Sequence, residues 1–204
     1  MTPSRNTVVF DLGGVLIDWN PRHLYRKLFA GDDAAMERFL AEICTNAWNA
    51  QQDAGRTWAE GTDILTAEHP GHAPLIEAYR ARWHEMLAGP IAGTVDILRK
   101  LKQRGVPLYA LTNWSAETFP FAMDLFDFLG WFDGIVVSGD EKLIKPDPRI
   151  YALLLERHGL DAAQTVFIDD NQNNAAAATA AGMHGIHFTT PEALETELTR
   201  LDLL

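Results

Sequence analysis

Short apolar runs alternate with stretches of helical periodicity along most of the chain. Five runs of strand length are rich in apolar and β-branched residues: residues 7–11, 106–112, 134–138, 165–169 and 185–188. Between the later runs, residues 94–101 and 150–154 place apolar side chains at helical spacing, and Gly105 and Gly159 end these two stretches. Such βαβ repeats imply right-handed crossovers. The pattern predicts an α/β fold, with a mostly parallel sheet and helices on both of its faces.

Residues 18–88 interrupt this alternation, because they contain no convincing strand. Four helices are predicted there. The first begins at Asn20-Pro21, as N-cap and first position, and the third at the capping-box spacing of Thr57 and Glu60. The second and fourth are indicated by apolar stripes, formed by Met36, Phe39, Leu40 and Ile43 and by Leu75, Ile76, Tyr79 and Trp83. We therefore predict an α/β core domain formed by residues 1–17 and 89–204, with a helical cap domain at residues 18–88. A cap inserted after the first strand would hang over the carboxyl edge of the sheet and could exclude water from it.

Composition narrows the class of protein. The 204 residues are 47% hydrophobic and 22% charged, which is ordinary for a globular chain, and the formal net charge is -11. This charge, with no basic run, argues against nucleic acid or an anionic membrane surface as a partner. No run of about 18 apolar residues could cross a membrane. Cys44 is the only cysteine, which fits a reducing cytoplasm, and we expect a cytoplasmic monomer or homodimer.

Carboxylates follow two of the predicted strands at the points where these strands end. Asp11 comes directly after the apolar residues 8–10, and Asp169 and Asp170 come after residues 166–168. The carboxyl ends of parallel strands lie side by side and form the usual ligand crevice of an open α/β sheet. Clustered carboxylates are typical ligands of Mg²⁺, which also lets an anionic substrate approach. The sequence thus predicts a magnesium site at this edge.

Two further strand ends add groups that suit a phosphorylated substrate. Thr112 and Asn113 end the second core strand with a hydroxyl and an amide, both able to form hydrogen bonds to phosphate oxygens. Lys145 follows the third core strand and brings a cation to the same edge. Together with the carboxylates, these residues would supply a nucleophile, an oxyanion binder, a charge neutraliser and a metal site.

The order of these motifs resembles that of the haloacid dehalogenase (HAD) superfamily of hydrolases with a helical cap. Residues 10–15 (FDLGGV) resemble motif I, residues 111–113 (LTN) motif II, Lys145-Pro146 motif III, and residues 168–171 (IDDN) motif IV. The resemblance covers nearly the whole chain. It is closest to the branch that contains α-D-glucose-1-phosphate phosphatase. It implies a HAD-like core, with a Rossmann-like parallel sheet, and a phosphatase that acts on a small phosphorylated metabolite, with sugar phosphates favoured.

The resemblance also implies roles for particular residues. Asp11 would attack phosphorus and form an aspartyl-phosphate that water then hydrolyses. Thr112, Asn113 and Lys145 would bind the substrate, and Lys145 would also keep Asp11 ionised.

Metal binding is implied in the same way. Asp11, Asp170 and Asp169 would hold Mg²⁺, with Asp170 the firmer ligand of the adjacent pair, and the backbone carbonyl of Gly13 would complete the set.

One position departs from the family pattern. Most phosphatases of the family carry a second Asp two residues after the nucleophile, where this chain has Gly13. Loss of a positioned general acid typically costs roughly a hundred to ten thousand fold in rate. One explanation is a substrate whose leaving group tolerates poor protonation, such as a sugar-1-phosphate or an acyl phosphate. The other is that a cap side chain or the substrate itself supplies the proton, with His23 and Asp18 as candidates near in sequence.

The same gap leaves two other functions open. A 2-haloacid dehalogenase would use Asp11 without metal, since halide leaves without a proton, although Asp169-Asp170 would then be surplus negative charge. A non-catalytic ligand-binding or regulatory protein of this fold is the second alternative.

Overall fold

The computed structural model describes residues 5–204, and within them seven strands form two sheets. The strands are β1 Thr7–Phe10, β2 Ile17–Trp19, β3 Leu87–Pro90, β4 Leu108–Thr112, β5 Gly134–Val137, β6 Thr165–Asp169 and β7 His184–His187. The main sheet has the order β5-β4-β1-β6-β7, and every neighbouring pair in it is parallel. This confirms the predicted α/β class.

Eleven helices are described. They are α1 Arg22–Leu28, α2 Asp33–Glu42, α3 Asn46–Asp53, α4 Trp58–Glu68, α5 Ala73–Ala81, α6 Ala92–Gln103, α7 Phe119–Leu125, α8 Ser138–Glu141, α9 Pro148–His158, α10 Gln172–Ala180 and α11 Pro191–Arg200. Short 3₁₀ turns lie at Pro70–His72, Trp83–Met86, Asp127–Trp131 and Ala162–Gln164. Within residues 5–204, no helix combines the length and the apolar character needed to span a membrane.

Alternating side chains of the sheet bury two separate apolar layers. Val8 and Phe10 face one layer, which includes residues of α6 and α11, whereas Val9 faces the other, which includes residues of α9 and α10. Because both faces are covered, β1 is fully buried along its length. Its carboxyl end is therefore held rigidly in the middle of the sheet, between β4 and β6.

Helices α1 to α5 form the insertion between β1 and the rest of the core. An aromatic cluster fills its interior, where Trp58 stacks on Tyr79 at 5.5 Å between ring centroids and Trp48 packs edge-on against both rings. Tyr25 joins the cluster, and its hydroxyl donates to the carbonyl of Leu75. Trp48 and Trp58 thus stabilise the insertion from within. We keep the proposed boundaries of 18–88 for this cap.

The insertion differs from the sequence prediction in two ways. It begins and ends in strands, since β2 pairs antiparallel with β3 where the chain leaves and re-enters the core. These strands are too short to show alternating polarity, so the pattern missed them. The prediction also missed α3, whose buried side chains include the polar Asn49 and Gln52 rather than an apolar stripe.

Candidate active site

Asp11 continues β1 beyond its last paired residue and carries its carboxylate into the crevice. Its backbone N–H donates to the carbonyl of Ile168 at 2.8 Å, so the pairing with β6 extends to Asp11 itself. The N–H of Leu12 donates to the Asp11 Oδ1 at 2.7 Å. Gly14 is required nearby, because it has φ +73° and an added Cβ would lie 2.3 Å from the Asp170 Oδ2. The backbone thus fixes where the carboxylate points.

Lys145 lies fully buried between two carboxylates. Its Nζ lies 3.0 Å from the Asp11 Oδ1 and donates to the Asp169 Oδ2 at 2.7 Å and to the carbonyl of Leu111 at 2.8 Å. These three partners match the three donors of an ammonium group. The sequence-predicted Asp11, Lys145 and Asp169 are therefore brought together.

Asn113 holds the loop that carries Lys145. Its Oδ1 accepts from the Lys145 backbone N–H at 2.8 Å, and its Nδ2 donates to the Lys145 carbonyl at 3.0 Å. Asn113 still lines the crevice. Its predicted contact with substrate stays a prediction, but its amide already has a positioning role that the sequence did not reveal. Thr112 lies buried at the end of β4, and its predicted phosphate contact also stays a prediction.

The end of β6 supplies two carboxylates in different surroundings. Asp169 is fully buried and accepts from the N–H of Asn171 at 2.8 Å and from the Asn174 Nδ2 at 3.1 Å. Asp170 is exposed to the crevice. One oxygen each from Asp11, Asp169 and Asp170 lies within 4.8 Å of the others. The Asn174 amide thus helps to fix the orientation of the Asp169 carboxylate.

The carboxylates outnumber the cations in this cluster. Burial raises the pKa of Asp11 to about 7, against the opposing effect of Lys145, and Asp169 raises it further. Burial and the charge of Asp169 also raise the pKa of Asp170. Burial acts to lower the pKa of Lys145, but the two neighbouring carboxylates raise it above its usual value. Lys145 lowers the pKa of Asp11, as expected of a neighbouring cation, but burial has the larger and opposite effect. That Lys145 keeps Asp11 ionised stays a prediction.

This deficit of positive charge fits a divalent cation. Three carboxylates converge within reach of one ion, and hard oxygen donors of this kind suit Mg²⁺. Gly13 lines the crevice beside them, where its backbone carbonyl is the fourth predicted ligand.

Cap residues form the opposite wall of the crevice, a cavity of about 430 Å³. Arg22 from α1 and Asn46, Asn49 and Asp53 from α3 line it together with Asp11 and the other core residues. None of these cap residues was predicted from the sequence to be a site residue. The N-cap Thr45, whose Oγ1 accepts from the N–H of Trp48, is the local signal that could have revealed this helix.

A smaller cavity of about 60 Å³ continues from the crevice between cap and core, and we call it the inner cavity. Its lining consists of Gly13, Trp19, Asn49, Asp53, Trp83, Asn113, Trp114 and Thr118. The two candidates for the missing acid do not line either cavity; the His23 Nε2 instead lies 3.0 Å from the Asp18 Oδ1.

Known proteins with related sequences include both phosphatases and dehalogenases. The sesquiterpene phosphatase astK of Aspergillus oryzae is 30% identical over 201 residues, which cover 98% of each chain. The (S)-2-haloacid dehalogenase of Pseudomonas fluorescens is 27% identical over 188 residues, 85% of this chain and 80% of that protein. Both relatives span most of the present chain, so the likeness includes the cap.

A solved structure and a family model agree with these relatives. A HAD-family enzyme from Bacteroides thetaiotaomicron, in complex with magnesium and inorganic phosphate, matches with a TM-score of 0.65 and 25% identity, over 88% of this chain and 91% of that one. The model of the haloacid dehalogenase-like hydrolases matches residues 6–182, which include the cap and the core from β1 to α10. From the motifs, the sheet topology and these matches, we conclude that the chain belongs to the haloacid dehalogenase-like hydrolase family.

Proposed function

We propose that the protein is a Mg²⁺-dependent phosphomonoester hydrolase, and that it acts through an aspartyl-phosphate on Asp11. The substrate is a small phosphorylated metabolite, with sugar phosphates favoured as in the glucose-1-phosphate phosphatase branch. The observation that carries this proposal is the convergence of Asp11, Asp169 and Asp170 within 4.8 Å beside a buried lysine. We expect it to work in the cytoplasm, as a monomer or a homodimer.

The residues of the crevice divide the work between them. Asp11 is the nucleophile, because its carboxylate is fixed by the backbone and faces the cavity. Lys145 orients it and neutralises the developing charge, with Thr112 as a further binder of phosphoryl oxygens. Asp170, Asp169, Asp11 and the Gly13 carbonyl would hold Mg²⁺, which when bound supplies positive charge to the phosphoryl oxygens.

Dehalogenation of 2-haloacids is the competing function, favoured by the absence of a carboxylate at Gly13 and by the Pseudomonas relative. Its substrate is a carboxylate, and it would enter a crevice that is already lined by the carboxyl groups of Asp11 and Asp170. Without metal, a third negative group there is repelled. The charge balance of the crevice therefore favours the phosphatase.

Phosphate release distinguishes these functions. The wild type and Asp11→Asn are compared on p-nitrophenyl phosphate, sugar phosphates and a terpenyl phosphate, each with Mg²⁺ or with EDTA. Release that requires both Mg²⁺ and Asp11 is expected. Halide release from 2-chloropropionate in EDTA, without phosphate release, would instead establish the dehalogenase, and no turnover of either kind would favour a binding protein.

A further inference from the structure

Few groups that line the two cavities can carry a proton. Among the described residues, neither cavity is lined by histidine, cysteine, tyrosine or lysine. The carboxylates are Asp11, Asp170 and Asp53. The first is needed as nucleophile and the second as metal ligand. Asp53, from the cap, is the carboxylate that the proposed function has not used.

Asp53 is held at the end of α3 by contacts to both domains. The Asn49 Nδ2 donates to the Asp53 Oδ2 at 3.0 Å, and the Ser138 Oγ donates to the Asp53 backbone carbonyl at 2.6 Å. Ser138 in turn accepts from the N–H of Trp114, so α3 is fastened to the loop after β4. These contacts fix Asp53 against the catalytic edge of the core.

The environment of Asp53 suits proton transfer. Burial raises the pKa of Asp53 to about 7, although a hydrogen bond from the backbone N–H of Ser115 lowers it. A group with such a pKa can act both as an acid and as a base near neutral pH. The Asn49 Oδ1 is buried without a hydrogen-bond partner among the described residues, and Asn49 lines the same two cavities as Asp53. The inner cavity, at about 60 Å³, has room for a water molecule between polar groups.

Gly13 borders the same space as Asp53, since both residues line the crevice and the inner cavity. A Cβ added at Gly13 would meet only the Trp19 Cβ, at 4.0 Å, so the space beside this glycine is open. A carboxylate from the cap and the open space beside Gly13 therefore border the same two cavities.

We propose that Asp53 protonates the leaving-group oxygen and then activates the hydrolytic water. This inference rests on the proposed phosphatase function and names the proton carrier that it lacks.

Two steps balance the reaction. In the first, an Asp11 oxygen bonds to phosphorus, the bond from phosphorus to the leaving oxygen breaks, and the Asp53 proton moves to that oxygen. In the second, ionised Asp53 takes a proton from water, the water oxygen bonds to phosphorus, and the phosphorus bond to Asp11 breaks. Phosphate leaves, and both aspartates return to their starting forms.

A matched pair of substrates tests this role. Phenyl phosphate and p-nitrophenyl phosphate have leaving groups of similar shape, but p-nitrophenol is much the stronger acid and leaves without a proton. For Asp53→Asn we expect kcat/KM on phenyl phosphate to fall by at least about a hundredfold, and on p-nitrophenyl phosphate by less than about tenfold. The matched control is Asp63→Asn, an exposed aspartate of α4, which should leave both values unchanged.

The second step gives a further readout. Without a base to activate water, hydrolysis of the phosphorylated enzyme is slowed in Asp53→Asn. This variant should therefore release a burst of p-nitrophenol equal to the enzyme concentration, followed by slow turnover.

A second variant guards against a merely structural effect. Adding Gly13→Asp to Asp53→Asn should restore at least about tenfold of the lost kcat/KM on phenyl phosphate, since the space beside Gly13 admits a side chain. Equal losses on both substrates, or no loss on either, would overturn the role of Asp53 and leave the phosphatase intact. A wild type that releases no phosphate from these two substrates, from sugar phosphates or from a terpenyl phosphate would instead overturn the proposed function.

Discussion

The two walls of the crevice are built in different ways. The core wall consists of charged groups at strand ends, where buried Lys145 joins Asp11 to Asp169 through contacts of 3.0 and 2.7 Å. The cap wall is a short polar helix, α3, supported from behind by stacked aromatic rings. The difference teaches that a sheet edge can hold several charges close together through direct contacts between them, whereas the polar helix opposite is held in place by apolar packing behind it.

Replacing Asp11, the proposed nucleophile, should show the largest difference between the effect on catalytic activity and the effect on thermal stability. Asp11→Asn is expected to lose activity by at least about ten-thousandfold, as when a covalent nucleophile is removed. Its melting temperature in EDTA near neutral pH should not fall. Because the pKa of Asp11 is raised in the folded state, wild-type stability decreases as pH rises from the unfolded value of 3.8 towards about 7. Removing the carboxylate relieves this cost. A large drop in thermal stability would contradict the account of the core wall.

Lys145→Met should lower both the free energy of unfolding and the catalytic activity. It leaves two carboxylates in a buried cluster without their cation, and breaking a buried ion pair costs about 3–5 kcal/mol. Denaturant unfolding in EDTA measures the free-energy loss, and phosphate release measures the loss of activity. Unchanged stability would mean that Lys145 is not the charge that holds the cluster together.

Asp170→Asn should affect metal binding while sparing the fold. Asp170 is exposed to the crevice, so little stability depends on it. Altering an outer-shell partner of a metal already costs about 10–100-fold in affinity, so the loss of a ligand should cost at least as much. The measurement is the Mg²⁺ concentration that gives half-maximal activity. An unchanged value would remove Asp170 from the metal site.

Trp58→Phe probes the support behind the cap wall and should have the smallest effect. It keeps an aromatic ring against Tyr79 but removes buried volume, so a loss of about 1–2 kcal/mol in unfolding free energy is expected. Turnover of p-nitrophenyl phosphate should change less than about threefold, because the core wall is untouched. A loss of activity as large as that of Lys145→Met would show that the two walls are not separable.

The residues of the core wall could be predicted from the sequence because they stand at the ends of recognisable apolar strands. Asp11 and Asp169 each end an apolar strand, and parallel strands end at one edge. The sheet and its crossovers could be predicted for the same reason. What the sequence did not reveal was that the Asn113 amide holds the Lys145 backbone, since such a contact depends on the path of a loop.

The cap wall escaped prediction for physical reasons. Helix α3 buries Asn49 and Gln52 beside Trp48, so its buried face carries no hydrophobic periodicity. Asp53 also gave no signal, because its importance comes from the way the cap packs on the core. Burial and neighbouring groups decide the chemistry of such a residue, and both depend on tertiary structure.

The central claim is that Asp11 becomes phosphorylated during turnover. The most direct test is to quench the enzyme with acid during turnover of p-nitrophenyl phosphate and Mg²⁺, and to map the phosphoryl group by peptide mass spectrometry. The account predicts one phosphoryl group on the peptide that contains Asp11, absent from Asp11→Asn and from samples with EDTA. The contradicting result is Mg²⁺-dependent phosphate release with no phosphoryl group on this peptide, when phosphorylation is faster than hydrolysis of the intermediate and the quench is faster than both.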